Sequence, residues 1–129
     1  LQDTLDGANM SLLTHLSGLT GLAAWQDGDA FWVMDGEPRI ATAAQVLLAT
    51  KAERIEQINA ECRARLIARY GPAEEQVSRS LGIYGDAEKQ AMQAGIAATI
   101  DASNSASDAV LAAADVAAVE AVTVTWPVI

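Results

Sequence analysis

The sequence is short of nearly everything from which reactive sites are built. It holds one cysteine, Cys62, so an intramolecular disulfide and a Cys-based zinc site are both excluded. It holds one histidine, His15. That residue has no second histidine at helical spacing, so a metal site is not expected. Basic residues are scarce, with eight Lys and Arg against 17 Asp and Glu for a formal charge of −9. A chain without a basic stripe lacks the clustered cations that phosphate contacts need, which argues against nucleic acid and against anionic membranes. No apolar run approaches the roughly 18 residues of a membrane-spanning helix. No basic stretch leads into an apolar one, as a secretory signal would. The chain begins at Leu1 rather than Met, which is read as a processed product, a truncation or part of something longer.

What the sequence has in quantity is alanine. Hydrophobic residues make up 51%, so disorder is not expected in a chain of this size. Aromatics, however, are one Phe, three Trp and two Tyr. Apolar burial is worth roughly 25 cal/mol per Å², and alanine brings little area. A core made mostly of alanine is therefore thin, and such a chain gains stability from a partner, a second copy or close helix packing. The charge is also uneven. Residues 1–40 carry six acids and Arg39, residues 41–92 carry seven of each sign, and residues 93–129 carry four acids and no base.

Three parts follow one another. In residues 1–41, Asp3 to Leu16 is expected as a short helix weakened by Gly7, with Gly18 and Gly21 as punctuation. Residues 22–41 are expected as a small meander. Gln26-Asp27-Gly28-Asp29 is a turn signal, Ala30 to Met34 has strand composition, and Glu37 to Ala41 is the return strand. Asp35-Gly36 predicts a type I′ turn between them, with positive φ at both residues. Pro38 confines the return strand to an edge or a strand start.

The second part is a long helix over about 42–70. Leu48, Ala52, Ile55, Ile58, Cys62 and Leu66 recur at three- and four-residue steps and form one apolar stripe. Gly71-Pro72 stops it, and Pro72 suits the first position of the short helix expected over 73–81. Gly82 to Gly85 is then a loop, with Asp86 as N-cap of the third part. That part is a helix over about 86–122, where 13 of the 31 residues from Ala91 to Ala121 are alanine. Met92, Ile96, Thr99, Ser103, Ala106, Val110, Ala113 and Ala117 form a heptad-like seam of small residues. Ser103, Asn104, Ser105 and Ser107 mark the place where a kink or break is expected. Val122 to Trp126 has strand composition and Pro127 ends it.

The expected fold class is thus mainly α. Amphipathic helices near 42–70 and 86–122 pack as an antiparallel hairpin within one chain or as an oligomeric bundle, with a small N-terminal β-meander. Residues 1–41 form a docking region and 42–129 a helical assembly domain.

No catalytic constellation emerges, and the chain is not expected to be an enzyme or to need a cofactor. Cys62 falls on the apolar stripe, where a thiol behaves as a small hydrophobe. Asp101, Asp108 and Asp115 repeat every seven residues. Carboxylates two turns apart are about 10 Å from one another, too far to share an ion, so they are read as a solvated face. Trp25, Phe31 and Trp32 admit two readings, a mini-core under the meander or a docking surface, because aromatics concentrate interface energy. Trp126 beside Pro127 carries the same ambiguity.

The stretch Lys51-Ala52-Glu53-Arg54-Ile55-Glu56-Gln57-Ile58-Asn59-Ala60-Glu61-Cys62-Arg63 resembles a segment of bacteriophage tail-fibre and tail-fibre-assembly proteins. In those a charged helix leads into an Ile-Asn-Ala-x-Cys run. The resemblance covers about a quarter of the chain, and the Gly71-Pro72 and alanine-rich continuation departs from that pattern. It carries no catalytic residues. It implies a virion component made in the bacterial host cytoplasm (tail fibre, tail tip or connector), or else an assembly chaperone absent from the mature particle. The expected partners are other phage structural proteins and further copies of this chain. The expected contact residues are Trp25, Phe31, Trp32, Leu48, Ile55, Ile58, Leu66, Met92, Ile96, Val110 and Trp126.

Overall fold

A computed structural model describes residues 7–81 and 85–129. The elements run α1 (Gly7–Thr20), β1 (Ala24–Asp27), β2 (Ala30–Asp35), β3 (Glu37–Ile40), α2 (Ala43–Tyr70), α3 (Ala73–Ser80), α4 (Asp86–Ala112) and α5 (Val116–Glu120). The protein is mainly helical with a small antiparallel sheet, as the periodicity predicts. By its internal contacts the chain divides into two compact units. One is Leu1–Ile55 with Val110–Ala121, and the other is Glu56–Ala109 with Val122–Ile129.

In the first unit, α1 runs on through Gly18 to Thr20, further than the expected stop near Leu16. The expected start at Asp3 lies outside the described residues. The helix ends where the Gly21 N–H donates to the Ser17 carbonyl at 2.9 Å. The Ser17 hydroxyl donates to the Leu22 carbonyl at 2.7 Å, tying the helix end to the chain that enters the sheet.

The sheet has the order β1-β2-β3, so Pro38 sits on an edge strand where its missing N–H breaks no ladder. β1 meets β2 with Trp25 opposite Trp32 and Asp27 opposite Ala30. This leaves Gly28-Asp29 as a two-residue loop, with Gly28 at a φ of 62°. The second turn corrects the expectation. Asp35 pairs with Glu37, so Gly36 alone forms the apex, at a φ of 73°. No described residue other than glycine has positive φ, so a type I′ turn, which needs it at Asp35 too, is not formed.

The core of this unit is Leu16, Val33, Ala41 and Ala49, with Leu12, Leu22, Ala24, Phe31 and Val46 packed against it. Two of those four central residues are alanine, which bears out the thin core that the composition implies. Leu48, expected on the buried stripe, is 55% exposed, and its neighbour Ala49 is fully buried in its place. The sheet sets this phase, because its inner face leaves room for a methyl group against α2 and not for an isobutyl.

The start of α2 is fixed by a reciprocal cap. The Gln45 N–H donates to Thr42 Oγ1 at 3.1 Å, and the Thr42 N–H donates to Gln45 Oε1 at 2.8 Å. This Thr-x-x-Gln box satisfies two N–H groups that a helix start leaves open.

In the second unit, the later turns of α2 run antiparallel to α4. Asn59 meets Ser103, whose hydroxyl lies 3.5 Å from Asn59 Oδ1, and Tyr70 meets Gly95. Ile58, Cys62, Tyr70, Met92, Thr99, Ser103 and Ala106 are buried. The buried Thr99 hydroxyl donates to the Gly95 carbonyl at 2.8 Å, so this polar group is paired one helical turn away.

Several expectations about α3 and α4 are corrected. The helix expected to run continuously over 86–122 is two helices. It stays unbroken through Ser103 to Ser107 and stops instead at Ala112. Asp115 then starts α5 as its N-cap, accepting from the Ala118 N–H at 2.8 Å. Alanine at 113 and 114 does not oppose a helix, so the break comes from the capping power of an aspartate. Asp86 lies inside the first turn of α4, since the Gly85 carbonyl already accepts from the Lys89 N–H. Pro72 stands one place before α3, with its carbonyl accepting from Gln76 N–H. The loop expected at 82–84 lies outside the described residues. Val122 to Trp126 is not a strand, because the described part of this unit is helical and offers no strand edge to pair with.

Candidate functional site

The register of the sheet sorts its side chains onto two faces. Ala24, Phe31 and Val33 point toward the core. Trp25, Trp32, Met34, Pro38 and Ile40 alternate with them and share the opposite face. Trp25 and Trp32 stand across from one another with ring centroids 6.4 Å apart and planes 12° from parallel, the offset stack that aromatic pairs favour. Beside them Met34 is 43% exposed and Ile40 is 61% exposed. The face is therefore an open apolar strip, with Asp27 at one end.

Two buried polar atoms in this sheet have no hydrogen-bond partner, Trp32 Nε1 and Gln26 Oε1. The Gln26 amide nitrogen is used, donating to the Gly28 carbonyl at 3.0 Å. An unpaired buried donor costs about 1–3 kcal/mol, so Trp32 sits where it does at some cost in stability.

The three N-terminal aromatics divide between the two readings open at the sequence level. Phe31 belongs to the core, and Trp25 and Trp32 belong to the outer face. The remaining expected contact residues scatter. Ile58, Met92 and Val110 are buried inside the chain, whereas Ile55, Leu66 and Ile96 are half-buried. Leu48 is exposed. Trp126 is half-buried, with the Arg65 guanidinium 4.9 Å above its ring. Met34 and Ile40 were missed at the sequence level. Strand alternation from Trp32 would have found both, since residues two apart share a face.

The residues weighed for chemistry lie apart from this strip. His15 is half-buried on α1 and Cys62 is buried on α2. Among the described residues no cluster of three His, Cys, Asp or Glu side chains forms a metal site. No helix among them is long and apolar enough to cross a membrane. Asp101 and Asp108 are exposed on α4, and Asp115 is exposed but spends its carboxylate on the α5 cap.

Comparison of the chain with family models, characterised proteins and solved structures finds no match.

Proposed function

We propose that this chain is an assembly protein that joins copies of itself through the outer face of its sheet, and that it serves as a structural component of a bacteriophage tail. The open strip of Trp25, Trp32, Met34, Pro38 and Ile40 carries the reading. Rigid aromatics of this kind supply most of the energy in protein interfaces. A second copy is the favoured occupant on electrostatic grounds. A chain with a charge of −9 repels its own kind wherever acids face acids, and this strip is free of charge except at Asp27. Two such strips are complementary to one another, as a twofold interface requires. The thin, alanine-rich core adds to the argument, because burial between copies supplies what burial within one copy lacks.

The phage setting rests on the resemblance of residues 51–63 to tail-fibre and tail-fibre-assembly proteins. Mass spectrometry of purified particles from the native source tests it. A structural component is found in the mature particle. Its absence there, together with recovery in complex with a tail protein from the lysate, would make the chain an assembly chaperone instead.

A further inference from the structure

The second unit contains a cleft of about 510 Å³ between α2 and the C-terminal segment, within the size range of small-molecule sites. Arg65, Ala68 and Arg69 of α2 form one wall, and Trp126, Pro127, Val128 and Ile129 form the other. Thr99 lies at its base, but its hydroxyl proton is committed to the Gly95 carbonyl.

The two walls differ in chemistry. The Arg65 guanidinium stacks 4.9 Å over the Trp126 ring, and the Arg69 guanidinium stacks 5.0 Å over the Tyr70 ring. Stacking uses the flat face of a guanidinium and leaves its in-plane N–H groups available. Arg65 has one weak engagement, from Nε to Glu61 Oε2 at 3.5 Å, and its terminal nitrogens bond to no described residue. Arg69 has no ion-pair partner among the described residues. The cleft lining includes no carboxylate. Within a chain of charge −9, this is a pocket with donors on one side, apolar surface on the other and no acid of its own.

We infer that the cleft binds a small amphipathic carboxylate, with its anionic head on Arg65 and Arg69 and its apolar body along Trp126 to Ile129. The planar fork of a guanidinium matches a carboxylate with two parallel hydrogen bonds. Because the arginines are open to water, charge alone would hold an anion weakly. The apolar wall supplies the remainder, so neither half of the ligand suffices alone. A dianion such as free phosphate leaves that wall unused.

The test uses the whole chain and 4-phenylbutyrate as probe, followed by the indole N–H resonance of Trp126 in a proton–nitrogen NMR titration. The expected result is a saturable shift at probe concentrations of about 1 mM. Acetate, which lacks the body, and 4-phenylbutyramide, which lacks the charge, should each bind at least about tenfold more weakly. R65Q/R69Q should lose the probe by a similar factor, while I40E, on the sheet, should leave it unchanged. Equal binding of the amide, or no saturable shift with the carboxylate, would overturn the inference. The two analogues need no substitution, so the proposal remains open to refutation even if the double variant fails to fold.

Discussion

Tyr70 and Gly95 meet so closely that a β-carbon at position 95 would collide with the Tyr70 hydroxyl. Gly95 is buried inside α4, and Tyr70, at the last position of α2, is buried against it. The helices of the second unit approach one another through a missing side chain. Replacing an interior glycine with alanine normally gains about 1 kcal/mol in helix propensity. Here the gain is outweighed, because overpacking a filled contact costs about 1–3 kcal/mol. Gly95→Ala should therefore lower stability in urea unfolding. Tyr70→Phe removes the colliding oxygen, so the loss should shrink in the double variant. A Gly95→Ala protein about 1 kcal/mol more stable than wild type would show that the contact has room to spare.

Lys51 and Asp115 act on either side of the break between α4 and α5. Lys51 Nζ donates to the Leu111 carbonyl at 2.7 Å, at the end of α4, where a cation is favoured by the helix dipole. Asp115 caps the start of α5. Asp115→Ala should cost about 1 kcal/mol. Lys51→Met should cost about 0.3–1 kcal/mol. Circular dichroism during denaturant titration measures both. If Asp115→Ala instead raised helicity without loss of stability, the two helices would have fused and the cap would not be what separates them.

Leu16 and Leu48 provide a matched pair in the first unit. Leu16 is 1% exposed and Leu48 is 55% exposed. Leu16→Ala should lose about 2–5 kcal/mol, the usual result of emptying a core site. Leu48→Ala should fall within about 0.5 kcal/mol of wild type under conditions where the chain is monomeric. Thermal or urea unfolding of the two variants side by side decides it, and similar losses would mean that the helix presents the other face.

Helix periodicity was the most legible part of the sequence. The 42–70 stripe locates α2 to within a residue, because apolar steps of three and four residues admit one regular structure. Its phase was harder to see. Leu48 and Ala49 are adjacent, and hydrophobicity alone prefers the leucine, while the space left by the sheet admits only the alanine. The end of α4 was misplaced for a related reason. Ser103 to Ser107 reads as weak helix, yet burial of Ser103 and Ala106 holds it in place, and tertiary packing overrides propensity. The break came at Asp115, where the capping signal had been absorbed into a pattern of evenly spaced acids.

The outer sheet strip was half legible. Trp25 and Trp32 stand out by residue type, but their common face depends on a register that pairs them directly. Two-residue alternation then extends the strip to Met34 and Ile40. The cleft at Arg65 and Arg69 was invisible, since it depends on the C-terminal segment returning along α2, and no local pattern encodes that return. The strand composition of Val122 to Trp126 pointed the other way.

Self-association through the sheet is the central claim, and sedimentation velocity of the whole chain at about 10 µM addresses it directly. Wild type should sediment as a defined oligomer, and Ile40→Glu or Met34→Glu, each placing a charge on an exposed position of the strip, should sediment as a folded monomer. A monomeric wild type, or an oligomer untouched by both charges, would contradict the account.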